Sequence, residues 1–309
     1  MEFPITNLLS PEQSEEWLLE HFHPQGLKCA WCQAPVERAN VFRVTRKSEL
    51  KVYRCKDCQS VYNLYTGTIF EQRQLRPQQA VLLMRGVLKG EPSDMLAIEL
   101  ELNHVTVLQL RRKIQDNAKL LQSEEPLPDF EAESDELFQN AGKKSEEHFD
   151  PLDPPRCRAN KRRGRGTYEN DRPPVLGTVG RASGQVRLRV VTDTKATTLE
   201  EHVHQFTLPD CHVYTDEYDS YNAIERTRST VTHSIKEWAR DDDGDGIREV
   251  HTNTAEGMWT GLRNFLRPFR GLHKKYLSGY VAVHECRVNL KRISPAFISA
   301  LVKVHSFNS

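Results

Sequence analysis

Four of the seven cysteines carry the most specific chemistry in this 309-residue chain. Cys29-x-x-Cys32 and Cys55-x-x-Cys58 are two pairs with 22 residues between them. Each pair sets two thiolates on one tight turn, and two such turns close a tetrahedron of sulfur around zinc. Four sulfurs leave no open coordination position, so the expected Zn²⁺ is structural. Cys157, Cys211 and Cys286 stand apart and read as buried or incidental thiols.

The second set is acidic. Asp216 ends the short apolar run CHVYT, and carboxyl ends of central strands are where α/β sheets build sites. Glu256 lies one turn into a helix starting near Asn253, and Asp135 lies in FEAESDELF, a candidate first strand of the same sheet. Three carboxylates from two strands and a helix can converge on divalent cations. Hard Mg²⁺ or Mn²⁺ takes oxygen ligands, and paired ions clamp the attacking and leaving oxygens of a phosphodiester. Solvated acids or helix caps are the plainer alternative, and spacing alone leaves the choice open. A third acidic run, DDDGDGIREVHT, sets Asp241, Asp243, Asp245 and Gly246 like the opening of a calcium loop. Its twelfth position is Thr252, where a bidentate Glu is needed, so it reads as a surface loop.

These groups need scaffolds. Within residues 1–75, VFRVTRKSELKVYRC and VYNLYTGTIF are strand-like stretches around the cysteine turns, which together make a zinc ribbon stabilised mostly by its metal. In residues 76–122, Pro77 opens a helix that Gly90 closes, Pro92 and Ser93 begin another, and Asn103 marks a turn before HVTVLQLRRKIQDNAKLL. Two short helices, the second carrying Arg111, Arg112 and Lys113, read as a DNA-contacting helix-turn-helix, with a plain helical linker as the alternative. Residues 123–305 place strands first and then alternate strands with helices, which implies a mixed sheet flanked by helices. A polar basic loop, expected to be mobile, interrupts it at 140–172. The expected fold class is multidomain α+β.

Lys and Arg total 43 against 43 Asp and Glu, but the charge is segregated. Residues 123–153 hold eleven acids and two lysines; residues 156–166 hold six basic residues and no acid; residues 262–292 hold eight basic residues and one acid. A neutral total therefore does not exclude a polyanionic partner. No apolar run approaches the ~18 residues of a membrane span. The opening MEFPITNLLSPEQSEEW lacks a basic stretch followed by an apolar one, so the expected setting is reducing cytoplasm, beside the nucleoid.

The order CxxC, CxxC, YTGTIFE, helix-turn-helix, SDE, VYTDEYDSY, HTNTAEGMWTGLR and RNFLRPFRGLHKKYLSGYVAVHECRVN resembles the zinc-ribbon DDE transposases of bacterial insertion sequences, the ISXO-like group. The likeness runs from about Cys29 to Asn289. It implies an RNase H-like α/β catalytic domain with its first Asp on strand one, its second after strand four and its third acidic position on a later helix. Asp135, Asp216 and Glu256 stand at the matching positions. Asn253 competes for the third, since some relatives use Asn there. Arg263, seven residues after Glu256, matches a basic residue that assists DNA-end binding. Arg267 and Lys274 in the basic tail are further expected DNA contacts.

The resemblance implies a transposase. The ribbon and helix-turn-helix would bind the element's double-stranded ends, and Mg²⁺ or Mn²⁺ on the acidic trio would serve cleavage and strand transfer into target DNA. Pairing two ends implies a homo-oligomer. The competing functions are a domesticated or inactive DNA-binding regulator and a metal-dependent nuclease without strand transfer.

Overall fold

The computed structural model describes residues 10–142, 164–269 and 271–304. It divides into two compact units, one of Met1–Leu121 with Leu290–Ser309 and one of Gln122–Asn289.

The first unit opens with helix α1 (Pro11–Phe22), started by a reciprocal cap in which Ser10 and Gln13 each bond the other's backbone N–H. Its buried Trp17, Leu18 and Phe22 make it part of a core, a role the ribbon reading of 1–75 does not anticipate. Strands β1 (Ala39–Val44), β2 (Lys51–Cys55) and β3 (Val61–Asn63) form an antiparallel sheet in that order. Helix α2 (Pro77–Lys89) stops at Gly90, whose φ of 85° is the left-handed value that glycine adopts without strain. Helix α3 (Ser93–Glu99) is shorter than the apolar run suggests, and α4 (His104–Leu120) starts where the Asn103 side chain accepts the Val105 amide. Val107, Leu110, Ile114 and Ala118 put one face of α4 in the core at helical spacing.

The second unit centres on a five-stranded mixed sheet. Its strands are β4 (Glu131–Phe138), β5 (Pro174–Gly180), β6 (Val186–Val190), β7 (His212–Asp216) and β8 (Arg228–Val231), with helix α5 (Ala196–Phe206) between β6 and β7. The order is β6-β5-β4-β7-β8. The β4–β5 and β5–β6 pairs are antiparallel; the β4–β7 and β7–β8 pairs are parallel. A short pair, β9 (Ala239–Arg240) and β10 (Val250–His251), precedes α6 (Asn253–Leu266) and α7 (Lys274–Asn289). Every residue of β5 is buried, as a central strand covered on both faces requires. Leu176 joins the cluster of Leu199, Val203 and Val213 under α5, whereas the adjacent Gly177 meets Met258 and Trp259 of α6. Side chains alternate across a strand, so α5 and α6 cover opposite faces of the sheet.

The chain ends its described course in α8 (Pro295–Val302), which belongs to the first unit. The Asn117 amide donates to the carbonyls of Leu301 (2.6 Å) and Lys303 (2.9 Å), and the Ile69 N–H donates to Val302 (2.8 Å). The described residues 290–304 therefore belong with the N-terminal helices. Cys157 and the basic run from Arg156 to Arg163 lie outside the described residues. No helix among the described residues is long and apolar enough to cross a membrane.

Candidate functional site

Asp135 and Asp216 come together because β4 and β7 run side by side in parallel. Their register pairs Glu131 with His212 and Glu133 with Tyr214; the pairing stops there. Asp135 and Asp216 are the next residues on the same side of each strand, at the fork where the two chains part. Oxygens of Asp135, Glu136 and Asp216 all lie within 4.8 Å of one another. Glu256, in the first turn of α6, and Arg263, two turns later, line the same cleft of about 320 Å³ with Asp135, Asp216, His233, Thr252, Trp259 and Thr260. Asn253 is exposed and is not among the residues lining that cleft.

The first carboxylate is held on both oxygens. Asp135 Oδ1 accepts the Glu136 amide at 2.8 Å, and Oδ2 accepts the buried Trp259 indole N–H at 2.7 Å. The indole reaches it because residue 177, opposite Asp135 on β5, is glycine. A Cβ there would stand 2.6 Å from both Met258 Cε and Trp259 Cη2, far inside contact distance. Asp216 Oδ1 accepts the Tyr218 amide at 3.0 Å, and the buried Tyr221 hydroxyl donates to Glu136 at 2.8 Å. Glu217 accepts the amides of His233 and Ser234, each at 2.9 Å, which fixes the loop that brings His233 to the cleft.

Burial, then the charge of Asp216, pushes the Asp135 carboxyl up to about 6. Burial and the charges of Asp135 and Asp216 push Glu136 up to about 7, and burial raises Asp216 as well. Clustered acids that resist ionising together are the donor set a hard divalent cation satisfies, since its charge offsets both burial and repulsion.

Glu133 fixes the helix that carries Glu256, and sequence reasoning does not single it out. It sits two residues before Asp135, fully buried on the same side of β4. It accepts the Ala255 amide (2.8 Å) and the Thr254 hydroxyl (2.9 Å), so it caps the first turn of α6. Arg181 pairs with it at 2.9 Å and donates to the carbonyls of Glu249 and His251, each at 2.7 Å. His251 Nδ1 lies 3.2 Å from Glu133, so this histidine belongs to the helix anchor. The period-two spacing of Glu133 and Asp135 was the available signal.

The zinc expectation meets a matching geometry. The four Sγ atoms lie within 4.8 Å of one another, with Cys29–Cys58 and Cys32–Cys55 each at 3.5 Å. Thiolates on a common Zn²⁺ at ~2.3 Å stand about 3.8 Å apart, so the donor set fits that ion. The two turns repeat one another: the Cys29 and Cys55 carbonyls accept the amides of Gln33 and Gln59, and both glutamines have left-handed φ, 60° and 62°. Hydrogen bonds from Ser60 lower the Cys58 thiol toward the thiolate that a metal takes, while hydrogen bonding to its neighbouring sulfurs pushes Cys32 the other way, as a set of four close sulfurs sharing charge must.

Two expected DNA contacts need correction. Arg111 is 1% exposed; its guanidinium bonds Ser93 Oγ at 2.7 Å and the Glu91 carbonyl, so it ties α4 to the start of α3. Lys274 is buried, pairs with Asp171 at 3.0 Å and donates to the Tyr168 carbonyl at 2.8 Å. Arg112 is half-buried, and Lys113, Arg263 and Arg267 are exposed. The Asp241–Gly246 stretch lies between β9 and β10 without flanking helices, and Asp241 accepts the amides of Gly244 and Gly246 as an ordered turn.

Residues 150–289 match the family model of the ISXO2-like transposase domain. A Halobacterium salinarum protein described as an uncharacterized protein in transposable element ISH50 is 28% identical over 293 residues, 92% of each chain. These two matches bear out the resemblance to insertion-sequence transposases. Among solved structures, the Mos1 strand transfer complex is 12% identical, covering 68% of this chain and 75% of that one at a TM-score of 0.20. A pre-cleavage Mos1 transpososome is 11% identical with the same coverage at 0.19.

Proposed function

We propose that this chain is a DDE-type transposase that binds the ends of an insertion sequence, cleaves DNA there and joins the freed 3′ end to target DNA. The observation that carries the reading is the cleft in which Asp135, Asp216, Glu256 and Arg263 meet. The family match and the transposable-element relative support the class. The strand order β6-β5-β4-β7-β8, with acids on its first and fourth strands and on a later helix, supports an RNase H-like catalytic domain.

In this mechanism Asp135 and Asp216 would hold divalent cations at the strand fork, with Glu136 beside them and Glu256, in preference to Asn253, on α6. Two Mg²⁺ or Mn²⁺ ions, when bound, supply activation of the attacking oxygen and stabilisation of the leaving one. Trp259 keeps the Asp135 carboxylate in one orientation, which limits the reorganisation needed at each step. Arg263 offers a cation to the DNA phosphates that enter the cleft. Cys29, Cys32, Cys55 and Cys58 would hold a Zn²⁺ ion that staples the ribbon. Helices α3 and α4 are taken as the helix-turn-helix, with Arg112, Lys113 and Arg267 as candidate DNA contacts. Pairing two ends requires a homo-oligomer, and the work is done at the nucleoid.

The test is incubation of the purified chain with the DNA flanking its gene and Mg²⁺ or Mn²⁺. Nicks at the ends of a flanking repeat and joined donor–target products, both lost in Asp216→Ala, are the expected result. Binding to the flanks with no nick under either metal would overturn it in favour of a DNA-binding regulator. Nicks without joined products would reduce it to a nuclease.

A further inference from the structure

The β1–β2 hairpin of the first unit, residues 39–55, buries almost none of its leading strand. From Asn40 to Val44 every residue of β1 is exposed, with Val41 at 57%, Phe42 at 47% and Val44 at 59%. A strand in a folded sheet ordinarily hides one face. This one hides neither, and it is also the sheet's edge. Five cations stand on the hairpin, Arg43, Arg46, Lys47, Lys51 and Arg54, against one acid, Glu49, and all five are exposed. None of the five forms an ion pair among the described residues.

The hairpin is nevertheless closed by its own hydrogen bonds. At its tip the Thr45 hydroxyl meets Ser48 Oγ at 2.6 Å and accepts the Leu50 amide at 2.8 Å, so Arg46 and Lys47 sit on a fixed turn. At its base Cys55 belongs to the zinc set. The register skips Phe42, which leaves it as a bulge, and the Arg54 guanidinium lies over its ring at 4.0 Å with Arg43 at 5.9 Å. A cation over a ring face within about 6 Å is attracted to it, so Phe42 gives Arg54 above all a resting place on the exposed ribbon. An ordered, two-stranded, cationic ribbon matches duplex DNA in charge and in width, because the major groove admits a two-stranded β-ribbon.

We propose that the β1–β2 hairpin is a double-stranded-DNA contact surface that lays Arg43, Arg46, Lys47, Lys51 and Arg54 along the phosphate backbone. This deepens the transposase reading and rests on it, naming the hairpin as the ribbon's point of contact.

The experiment compares the full wild-type chain with Arg46→Ala/Lys47→Ala and with Arg43→Ala/Arg54→Ala. Binding is measured by fluorescence anisotropy on flanking and on unrelated duplexes across a salt series, and the cysteine site is checked by zinc content. Each phosphate contact contributes about −0.9 to the slope of log K against log salt. Each double variant should therefore keep its zinc, lose about two in that slope and bind both duplexes about tenfold more weakly at moderate salt. An unchanged slope in both double variants, with a wild type that still cleaves the flanks, would overturn the hairpin assignment and leave the transposase reading standing. A changed oligomeric state with an unchanged slope would overturn it in favour of edge pairing between two copies. Failure of wild type to bind any duplex would remove both proposals.

Discussion

Asp135 sits at the point where burial, a neighbouring charge and two hydrogen bonds compete. The Trp259 bond lowers its proton affinity against the dominant effect of burial. Trp259→Phe keeps most of the packed ring and deletes that bond, so it should raise the metal concentration needed for half-maximal cleavage several-fold while DNA affinity stays put. An unaltered metal requirement would mean that the indole only packs. Proton linkage gives a second prediction. Asp135 and Glu136 rise to about 6 and about 7 in the fold, above the ordinary values near 4 of the unfolded chain. Across that window the native state binds more protons than the unfolded one, so the metal-free fold loses stability as pH rises from about 4 to 7. Asp135→Asn removes one of these groups. Its thermal midpoint should fall less between pH 5 and pH 7 than that of wild type, and Mg²⁺, which favours the ionised acids, should stabilise wild type more at pH 7. Parallel melting curves for the two proteins would refute this.

A carboxylate is only as well placed as the element beneath it, and α6 is placed by two residues outside the acidic trio. Glu133→Gln leaves the part-buried Arg181 beside a neutral partner, and breaking a buried pair costs up to about 3–5 kcal/mol. Gly177→Ala drives a methyl group into Trp259 and Met258, so α6 must shift and carry Glu256 with it. Its expected signature is a fall in kcat of about a hundredfold with DNA binding intact, as misplacement of about 1 Å can produce. Wild-type turnover would show that the cleft tolerates the shift. In the ribbon, chelation of zinc should abolish the first unit's folding transition and leave the sheet unit's transition in place, as calorimetry would reveal. Much of this was legible in the sequence at the level of elements. Gly90 and Asn103 mark the ends they cap, because left-handed backbone and side-chain capping are local requirements. Long-range partners were not legible. Arg111 and Lys274 look like surface cations in the chain, and only the fold supplies Ser93, the Glu91 carbonyl and Asp171 to bury them. The two acids that cluster with Asp216 are adjacent in sequence, yet only Tyr221 and the strand fork, both long-range features, place Glu136 at the site.

At the scale of the molecule, the first unit takes residues from two distant stretches of the chain, and α1, α4 and α8 meet in it. Ending the chain after Asn289 would remove the partners of Asn117 and Ile69. Two separable melting transitions are expected in the complete chain, and the truncation should lower only the one belonging to the first unit. A single unaltered transition would show that α8 adds nothing to it. The same connectivity bears on synthesis. Translation delivers the chain from its N-terminus, and domains generally fold as they emerge. The helices that close with α8 cannot finish until residues near 300 have left the ribosome, long after the sheet unit has been made. A chain stopped early by a frameshift or a nonsense codon would then carry an incomplete first unit and, under the proposed function, could not occupy the ends and obstruct longer copies. On the proposed reading, competence to engage DNA waits on the synthesis of α8.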